Sequence, residues 1–412
     1  MSAFLFSALF VEFLELFGRI IRNSMIPYQQ CNQCVLDTKD DPSITFDANG
    51  VCAYCHLWKL RENRFIRSAA DGLAQLERIT ERIRADGRGK PYDCVAGVSG
   101  GVDSTYVMHW AKKLGLRPLV VHLDNGWNSE LAVKNIEQIV SKLGFDLHTH
   151  VVRWEEFKDI HLSFIKASVV DIELPTDHAI YALLQHTAAK YGLRHILSGY
   201  NIATEGTLPS AWVWNKLDWL NIASIHKRFG SVPLKTFPHL SFWQAVRYQQ
   251  INRIETVSIL DYVDYRKEVA KETITRELGW RDYGGKHFES VFTRFYQGYI
   301  LPTKFGIDKR KAHLSSLICA GQLTKIQALE ALAKPIYEAR QLDEDLTFVL
   351  KKLDVSKNTF ETWMKEKPVS HLAYDSYLTS HYQWHEAFFR RVRPITKILK
   401  YFYRPVRPVE YS

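Results

Sequence analysis

Residues 96–105 read Ala-Gly-Val-Ser-Gly-Gly-Val-Asp-Ser-Thr, "AGVSGGVDST", and close the apolar run that begins at Tyr92. A strand that ends in paired glycines and reopens as a helix is built to hold an anion. Gly100 and Gly101 let the backbone come close to a ligand. The helix that follows starts near Ser104, and its unpaired N–H groups face the same point. Ser99, Ser104 and Thr105 add hydroxyl donors. Asp103 repels phosphate and suits either Mg²⁺ or a loop-capping role. The lysine of the GxxxxGK[ST] loop, which serves the β and γ phosphates, is missing; the first lysine after the loop is Lys112. An ordinary glycine-rich turn is the competing reading, and the full "SGGVDST" string between strand and helix is more specific than that.

Outward from the loop, strand and helix signals alternate. "STYVMHWAKKLG" (104–115) is helical, and "RPLVVHLDNG" (117–126) is a second strand ending in turn residues. "SELAVKNIEQIVSKLG" (129–144) is a helix closed by Gly144, and "DLHTHVV" (146–152) is a third strand. "PTDHAIYALLQHTAAKYG" (175–192) is a helix closed by Gly192, and "HILSGYN" (195–201) is a fourth strand. Repeated βα units predict an α/β fold with a doubly wound parallel sheet. Ligands of such sheets bind beyond the C-terminal strand ends, where Ser99, Asp124 and Gly199 fall.

Near the start, "CNQC" and "CAYC" place Cys31, Cys34, Cys52 and Cys55 as two CxxC knuckles around a strand and an Asn49-Gly50 turn. The spacing predicts a zinc ribbon with four thiolates around one Zn²⁺. Free thiols or an iron–sulfur cluster are the alternatives, and the adjacent His56 is a substitute ligand or a bystander. So small a unit would draw folding energy from its metal. Of the other two of six cysteines, Cys94 sits inside the first apolar strand and Cys319 follows an apolar stretch, and both read as core. The pattern points to a reducing compartment, the cytoplasm, rather than a disulfide scaffold.

The 412 residues carry 46% hydrophobic side chains and a formal charge of +9. That is enough for more than one core, and the charge suits a phosphate-bearing partner without choosing nucleic acid, lipid or nucleotide. The expected divisions are an apolar leader at 1–28, the cysteine unit at 29–60 and a helical linker at 61–90. A nucleotide-binding domain at 91–230 follows, then a helical substrate-binding region at 231–345 and a basic aromatic helical tail at 346–412. The leader's uninterrupted apolar run is too short to span a bilayer; it reads as an amphipathic helix, or as sequence upstream of a true start at Met25. The tail reads either as a helix with a solvated basic face or as a contact for anionic membrane.

"SGGVDST" resembles the SGGxDS[ST] motif of the PP-loop, N-type ATP pyrophosphatases, whose fold is adenine nucleotide alpha hydrolase-like. The resemblance implies that the loop grips the β,γ-pyrophosphate of ATP, that a carbonyl oxygen is adenylated, and that a nucleophile then displaces AMP. It implies Ser99, Asp103 and Ser104 as catalytic residues. It implies ATP contacts from Ser99, Gly100, Gly101, Asp103, Ser104, Thr105, Asp124, Gly199 and Asn201, with Mg²⁺. From about Cys31 to about residue 335 the chain is similar to N-acetyl sugar amidotransferases of bacterial surface-polysaccharide (O-antigen) assembly. The likeness is carried by the four cysteines, "PTDHAI" (175–180), "GGKHFES" (284–290) and "LPTKFGIDKRKAHLSSLI" (301–318).

That second resemblance implies conversion of an acetamido group of a nucleotide-linked sugar to acetamidino. It implies ammonia from a partner glutaminase through a cyclase-like barrel subunit, both similar to the halves of imidazole glycerol phosphate synthase. Candidate substrate residues are Asp177, His178, Lys286, His287, Glu289, Arg294, Lys304, Lys309 and Arg310, in a cluster with Asp308, Lys311 and His313. A solvated basic helical face is the plain alternative for that cluster, and an N-cap is the plain alternative for Asp177. A tRNA-modifying PP-loop ligase and a non-catalytic zinc-ribbon scaffold are the competing functions. The lack of a second cysteine pair beyond the loop weighs against tRNA thiolation, and no nucleic-acid partner is expected.

Overall fold

The computed structural model describes residues 27–65, 69–284 and 288–378. The apolar leader through residue 26, Lys286, His287 and the basic aromatic segment from residue 379 lie outside the described residues.

Five parallel strands form one sheet: β1 (Cys94–Gly97), β2 (Pro118–Asp124), β3 (Asp146–Val151), β4 (His195–Leu197) and β5 (Glu255–Val257), in the order β3-β2-β1-β4-β5. Val95 pairs with Leu119 on one side and Ile196 on the other, so β1 is central. Strand residues alternate between two cores, as the two-residue side-chain period requires. Val95, Leu119, Val121, Leu123 and Ile196 join one core, while Cys94, Ala96, Val120 and Leu197 join the other. Burial on both faces explains why these strands read as continuous apolar runs.

The helices preceding and flanking the sheet are α1 (Ala53–Phe65), α2 (Ala69–Asp86), α3 (Val102–Lys113), α4 (Glu130–Leu143), α5 (Trp154–Lys166) and α6 (Leu174–Lys190). Gly144 ends α4 in the left-handed conformation, at φ 67°, as its position in sequence predicts. Two elements lack a clear sequence signal. One is α5. The other is β5, which is as short as β4 but is mostly exposed and lacks the apolar residues that mark β4.

Because β5 lies within 231–345, the boundary expected at residue 230 cuts through the sheet. Helix α7 (Lys267–Leu278) likewise packs on α3. Residues 231–280 therefore complete the sheet domain and do not form a separate region.

The boundary expected at 345 also fails, because helix α9 (Ala339–Leu353) runs across it. Val349, Leu350 and Leu353 of α9, Phe360 of helix α10 (Lys357–Lys365) and Tyr374 are buried in the main core. Val369 N–H donates to Ser168 O at 2.9 Å, and Tyr374 Oη to Ala167 O at 3.1 Å. Residues 346–378 are integral to the fold. Among the described residues, no helix is long and apolar enough to cross a membrane.

The cysteine unit is held by short antiparallel bridges, Gln30 to Asp37 and Phe46 to Cys52. It is anchored to the sheet domain by Trp212, whose indole donates to Asp40 O at 2.7 Å, and by helix α8 (Arg310–Cys319).

Candidate active site

The loop 98–104 leaves the C-terminal end of the central strand and forms the floor of a cavity of about 350 Å³. Gly100 sits at φ +82°, and a Cβ there would lie 2.8 Å from the backbone oxygen of Ala132. Gly101 caps α3 in an extended conformation with no side-chain cap of its own. The first N–H groups of α3 therefore stay directed at the cavity. Ser99 and Ser104 hydroxyls lie 3.2 Å apart, Gly101 N–H donates to Ser99 Oγ, and Ser104 Oγ donates to Gly101 O. The indole of buried Trp280 donates to Gly100 O at 2.8 Å. These bonds preform the cradle.

Asp103 lines the cavity while its Oδ1 accepts from Tyr265 Oη and, at 3.3 Å, from Asn201 Nδ2. Asn201 is fully buried and also caps the turn Ile202–Glu205 through Thr204 N–H. Asn201 thus reaches the cavity through Asp103. Gly199 lines the wall, and a Cβ there would lie 3.1 Å from Ser104 N. Burial, then the nearby Asp103 carboxylate, pushes the Tyr265 hydroxyl far above its usual range; burial, then Glu289 and Asp103, does the same for Tyr283. Both phenols stay protonated as donors.

The cations absent from the loop come from elsewhere. Lys267 and Lys271, one turn apart on α7, line the cavity together with Glu205, Asp282, Tyr283, Gly284 and Glu289. Lys271 pairs with Asp282 at 2.7 Å. Burial works to raise the Asp282 pKa, but the bond to Lys271 and the positive field hold it below the usual range. Lys267 and Lys271 sit more than 160 positions beyond the loop, and nothing in their local pattern connects them to it. Their i, i+4 spacing was the available signal, and it is shared by any solvated helix face.

Of the described residues of "GGKHFES", Gly284 and Glu289 line this cavity, as does Tyr283 just before the segment. Ser129 N–H donates to Glu289 O, and Val291 N–H to Trp127 O, which stitches the segment to the turn after β2. Four expected ATP contacts lie outside the cavity lining: Gly100, Asn201, Thr105 and Asp124. Thr105 is fully buried inside α3, and its hydroxyl does not reach the cavity. Asp124 closes the turn after β2, accepting from Gly126 N–H at 2.9 Å.

Most of the expected substrate residues are dispersed, with their polar groups committed to the fold. Arg294 forms a two-pronged pair with buried Asp345 at 2.6 and 2.8 Å. Lys304 donates to Ser168 Oγ at 2.8 Å and to Trp363 O, and burial lowers its pKa. Arg310 grips Asp308 and the carbonyls of Ala331, Leu332 and Lys334. Lys309 is the residue preceding α8. Asp177 pairs with Lys216 at 2.9 Å. His178 is fully buried; its Nδ1–H donates to Lys216 O at 2.7 Å and its Nε2 accepts from Leu240 N–H at 3.0 Å. Burial pushes its pKa down to about 4, so it is a neutral packing group. Of the substrate candidates among the described residues, Glu289 alone lines the cavity.

The cysteine cluster matches its expected chemistry. The four Sγ atoms are buried and lie within 4.8 Å of one another. Cys34–Cys52 and Cys52–Cys55 are 3.7 Å apart and Cys31–Cys55 is 3.9 Å. A tetrahedron with Zn–S bonds of about 2.3 Å has S···S edges of about 3.8 Å, so these thiols fit Zn²⁺ without rearrangement. His56 is exposed on Asp47 and takes no part. Cys94 is buried in β1, where burial, then the neighbouring Asp93, pushes its thiol up.

Residues 289–390 match the family model described as LPS biosynthesis protein WbpG-like, C-terminal domain. This agrees with the resemblance drawn from the motifs. It also extends past residue 345, over a segment that the motif comparison had left out. No curated protein matches the chain. Among solved structures, an NMN synthetase from Francisella tularensis aligns over 70% of this chain and 97% of its own, at 13% identity and a TM-score of 0.32. An NH₃-dependent NAD synthetase from Campylobacter jejuni aligns over 50% and 87%, at 14% identity and a TM-score of 0.27.

Proposed function

We propose that the chain is an ATP-dependent amidotransferase of lipopolysaccharide biosynthesis that cleaves ATP between the α and β phosphates. The observation that carries this reading is the meeting of the Ser99–Ser104 cradle with Lys267 and Lys271 around one cavity at the C-terminal edge of a parallel sheet. Backbone N–H groups, serine hydroxyls and two ammonium groups suit a departing pyrophosphate. Mg²⁺ would find carboxylate donors in Asp103, Glu205, Asp282 and Glu289, and when bound would neutralise phosphate charge.

The acetamido group of a nucleotide-linked sugar, such as a UDP-linked diacetamido uronic acid, is the proposed acceptor. Its carbonyl oxygen bonds to the α-phosphorus as pyrophosphate leaves. Ammonia then adds to the activated carbon, and AMP departs with the former carbonyl oxygen, leaving an amidine. The chain supplies positioning and a preorganised field for the leaving group, and needs no covalent nucleophile. Ammonia would come from a separate glutaminase through a barrel subunit. The family match at 289–390 supports the lipopolysaccharide setting, and the presence of Tyr283, Gly284 and Glu289 in the cavity lining supports placing the sugar there.

Incubation with ATP, ammonium and a UDP-diacetamido uronic acid should give AMP and a product about one mass unit lighter, as oxygen is replaced by NH. AMP formation with tRNA and none with the sugar would overturn this reading in favour of a tRNA-modifying enzyme.

A further inference from the structure

Helix α8 touches the cysteine unit and, through His313, the Lys267 side chain that lines the phosphate cavity. On one face, Val35 N–H donates to Ser315 Oγ at 3.4 Å, Lys311 pairs with Asp37 and Asp40 at 2.9 Å, and Cys319 Sγ lies 3.6 Å from Cys55 Sγ. On the other face is His313. Its Nδ1 lies 3.1 Å from Thr204 O, and a carbonyl only accepts, so Nδ1 carries the proton. The Nε2 lone pair then accepts from Lys267 Nζ at 3.1 Å. This bond fixes the direction of one of the three donors of the Lys267 ammonium.

Three residues past α8, Gln322 makes two bonds to one strip of backbone. Lys267 N–H donates to its Oε1 at 3.0 Å, and its Nε2 donates to Tyr265 O at 2.7 Å. Tyr265 in turn donates to Asp103 in the loop. One short segment therefore holds both Lys267, which lines the cavity, and Tyr265, the phenol that braces Asp103.

We infer that His313 and Gln322 are positioning residues for the polyphosphate site: His313 aims the Lys267 ammonium, and Gln322 fixes the Tyr265–Lys267 backbone against the loop. The inference rests on the reading of the cavity as the site of ATP's phosphates. Neither residue touches the phosphates; both act by keeping Lys267 and Asp103 where an incoming polyanion needs them, which removes an ordering cost from binding.

The test is calorimetric titration of the full-length, zinc-loaded chain with Mg²⁺–pyrophosphate, in a double-mutant cycle. Lys267→Ala should weaken binding about tenfold and His313→Leu about fivefold. If His313 acts through Lys267, the double variant should bind no more than about twofold below Lys267→Ala alone. His313→Gln, whose amide can both donate to Thr204 O and accept from Lys267, should stay within about twofold of the unaltered chain. Multiplying losses in the double variant, or unaltered binding by His313→Leu, would overturn the inference. If circular dichroism shows that His313→Leu does not fold, His313→Ala takes its place in the same cycle with the same criteria. No binding by the unaltered chain would instead overturn the functional reading, and this inference with it.

Discussion

Gly100 and Gly101 are neighbours, yet alanine at each should fail in a different way. At Gly100 the backbone is left-handed, φ +82°, which costs an alanine about 1–2 kcal/mol. Its Cβ would also lie 2.8 Å from Ala132 O and 3.3 Å from Ala132 C and Cα. Those atoms belong to the backbone of α4 and yield only by a helix shift, at about 1–3 kcal/mol. The Trp280 bond to Gly100 O would be strained as well. Gly100→Ala should therefore lose about 3 kcal/mol of stability, seen as a lower guanidinium midpoint at unchanged slope.

Gly101 is extended, at φ −73° and ψ 164°, where any residue is at ease. Its Cβ would meet Ser99 Oγ and Tyr283 Oη at 3.2 Å and Glu289 Oε1 at 3.4 Å, all side-chain tips that can give slightly. Gly101→Ala should unfold within about 1 kcal/mol of the unaltered chain. The new methyl, however, stands over the N–H groups that receive phosphate. Pyrophosphate or ATP binding should fall at least about tenfold, read by titration calorimetry. Full affinity in Gly101→Ala, or an unchanged midpoint in Gly100→Ala, would refute this account of the loop.

Arg294→Ala removes the cation of a buried pair and leaves Asp345 with the Tyr337 and Gln341 donors but no counter-charge, so it should cost about 3 kcal/mol of stability while the folded protein still binds pyrophosphate normally. Lower affinity at unchanged stability would return Arg294 to the substrate site. Burial holds His161 and His371 near pKa 3 and His178 near 4, below the 6.5 of the unfolded chain. Each is neutral when folded and takes up a proton on unfolding, so its stabilisation is present above pH 6.5 and falls as pH drops through 6.5 toward those values. The loss approaches about 1.4 kcal/mol per pH unit for each histidine, checked by denaturant midpoints between pH 5 and 7.5; His178→Gln should flatten the slope. Metal analysis should find one Zn²⁺ per chain, and stripping it should unfold the cysteine unit; a metal-free chain of equal stability and structure would contradict the site.

The loop, the four longer strand signals and the CxxC pairs were legible because each is a local pattern with a local cause: a paired glycine, a buried period, a ligand spacing. What escaped was set by tertiary pairing. β5 is three residues long and becomes a strand only by lying against β4. Lys267 and Lys271 look like any solvated helix face until α7 lies beside the loop. The opposite error came from composition. Arg294, Lys304 and Arg310 form a basic cluster in sequence, but each has a partner that sequence adjacency does not show, or shows ambiguously: Asp345 51 positions away, Ser168 136 positions back, and Asp308 only two before. His178 and Asp177 sit in a motif of the resemblance, and the fold uses them to tie the start of α6 to Lys216 and Leu240. Asn201 was singled out by the motif, and its observed bonds run to Asp103 and Thr204.

The central claim is that the substrate carbonyl oxygen bonds to the α-phosphorus of ATP. Acceptor sugar labelled with ¹⁸O in its acetamido carbonyl, incubated with ATP and ammonium, reports this directly by mass spectrometry of the nucleotide and phosphate products. The account predicts ¹⁸O in AMP, with unlabelled pyrophosphate. Label in inorganic phosphate, with ADP as the nucleotide product, would contradict it.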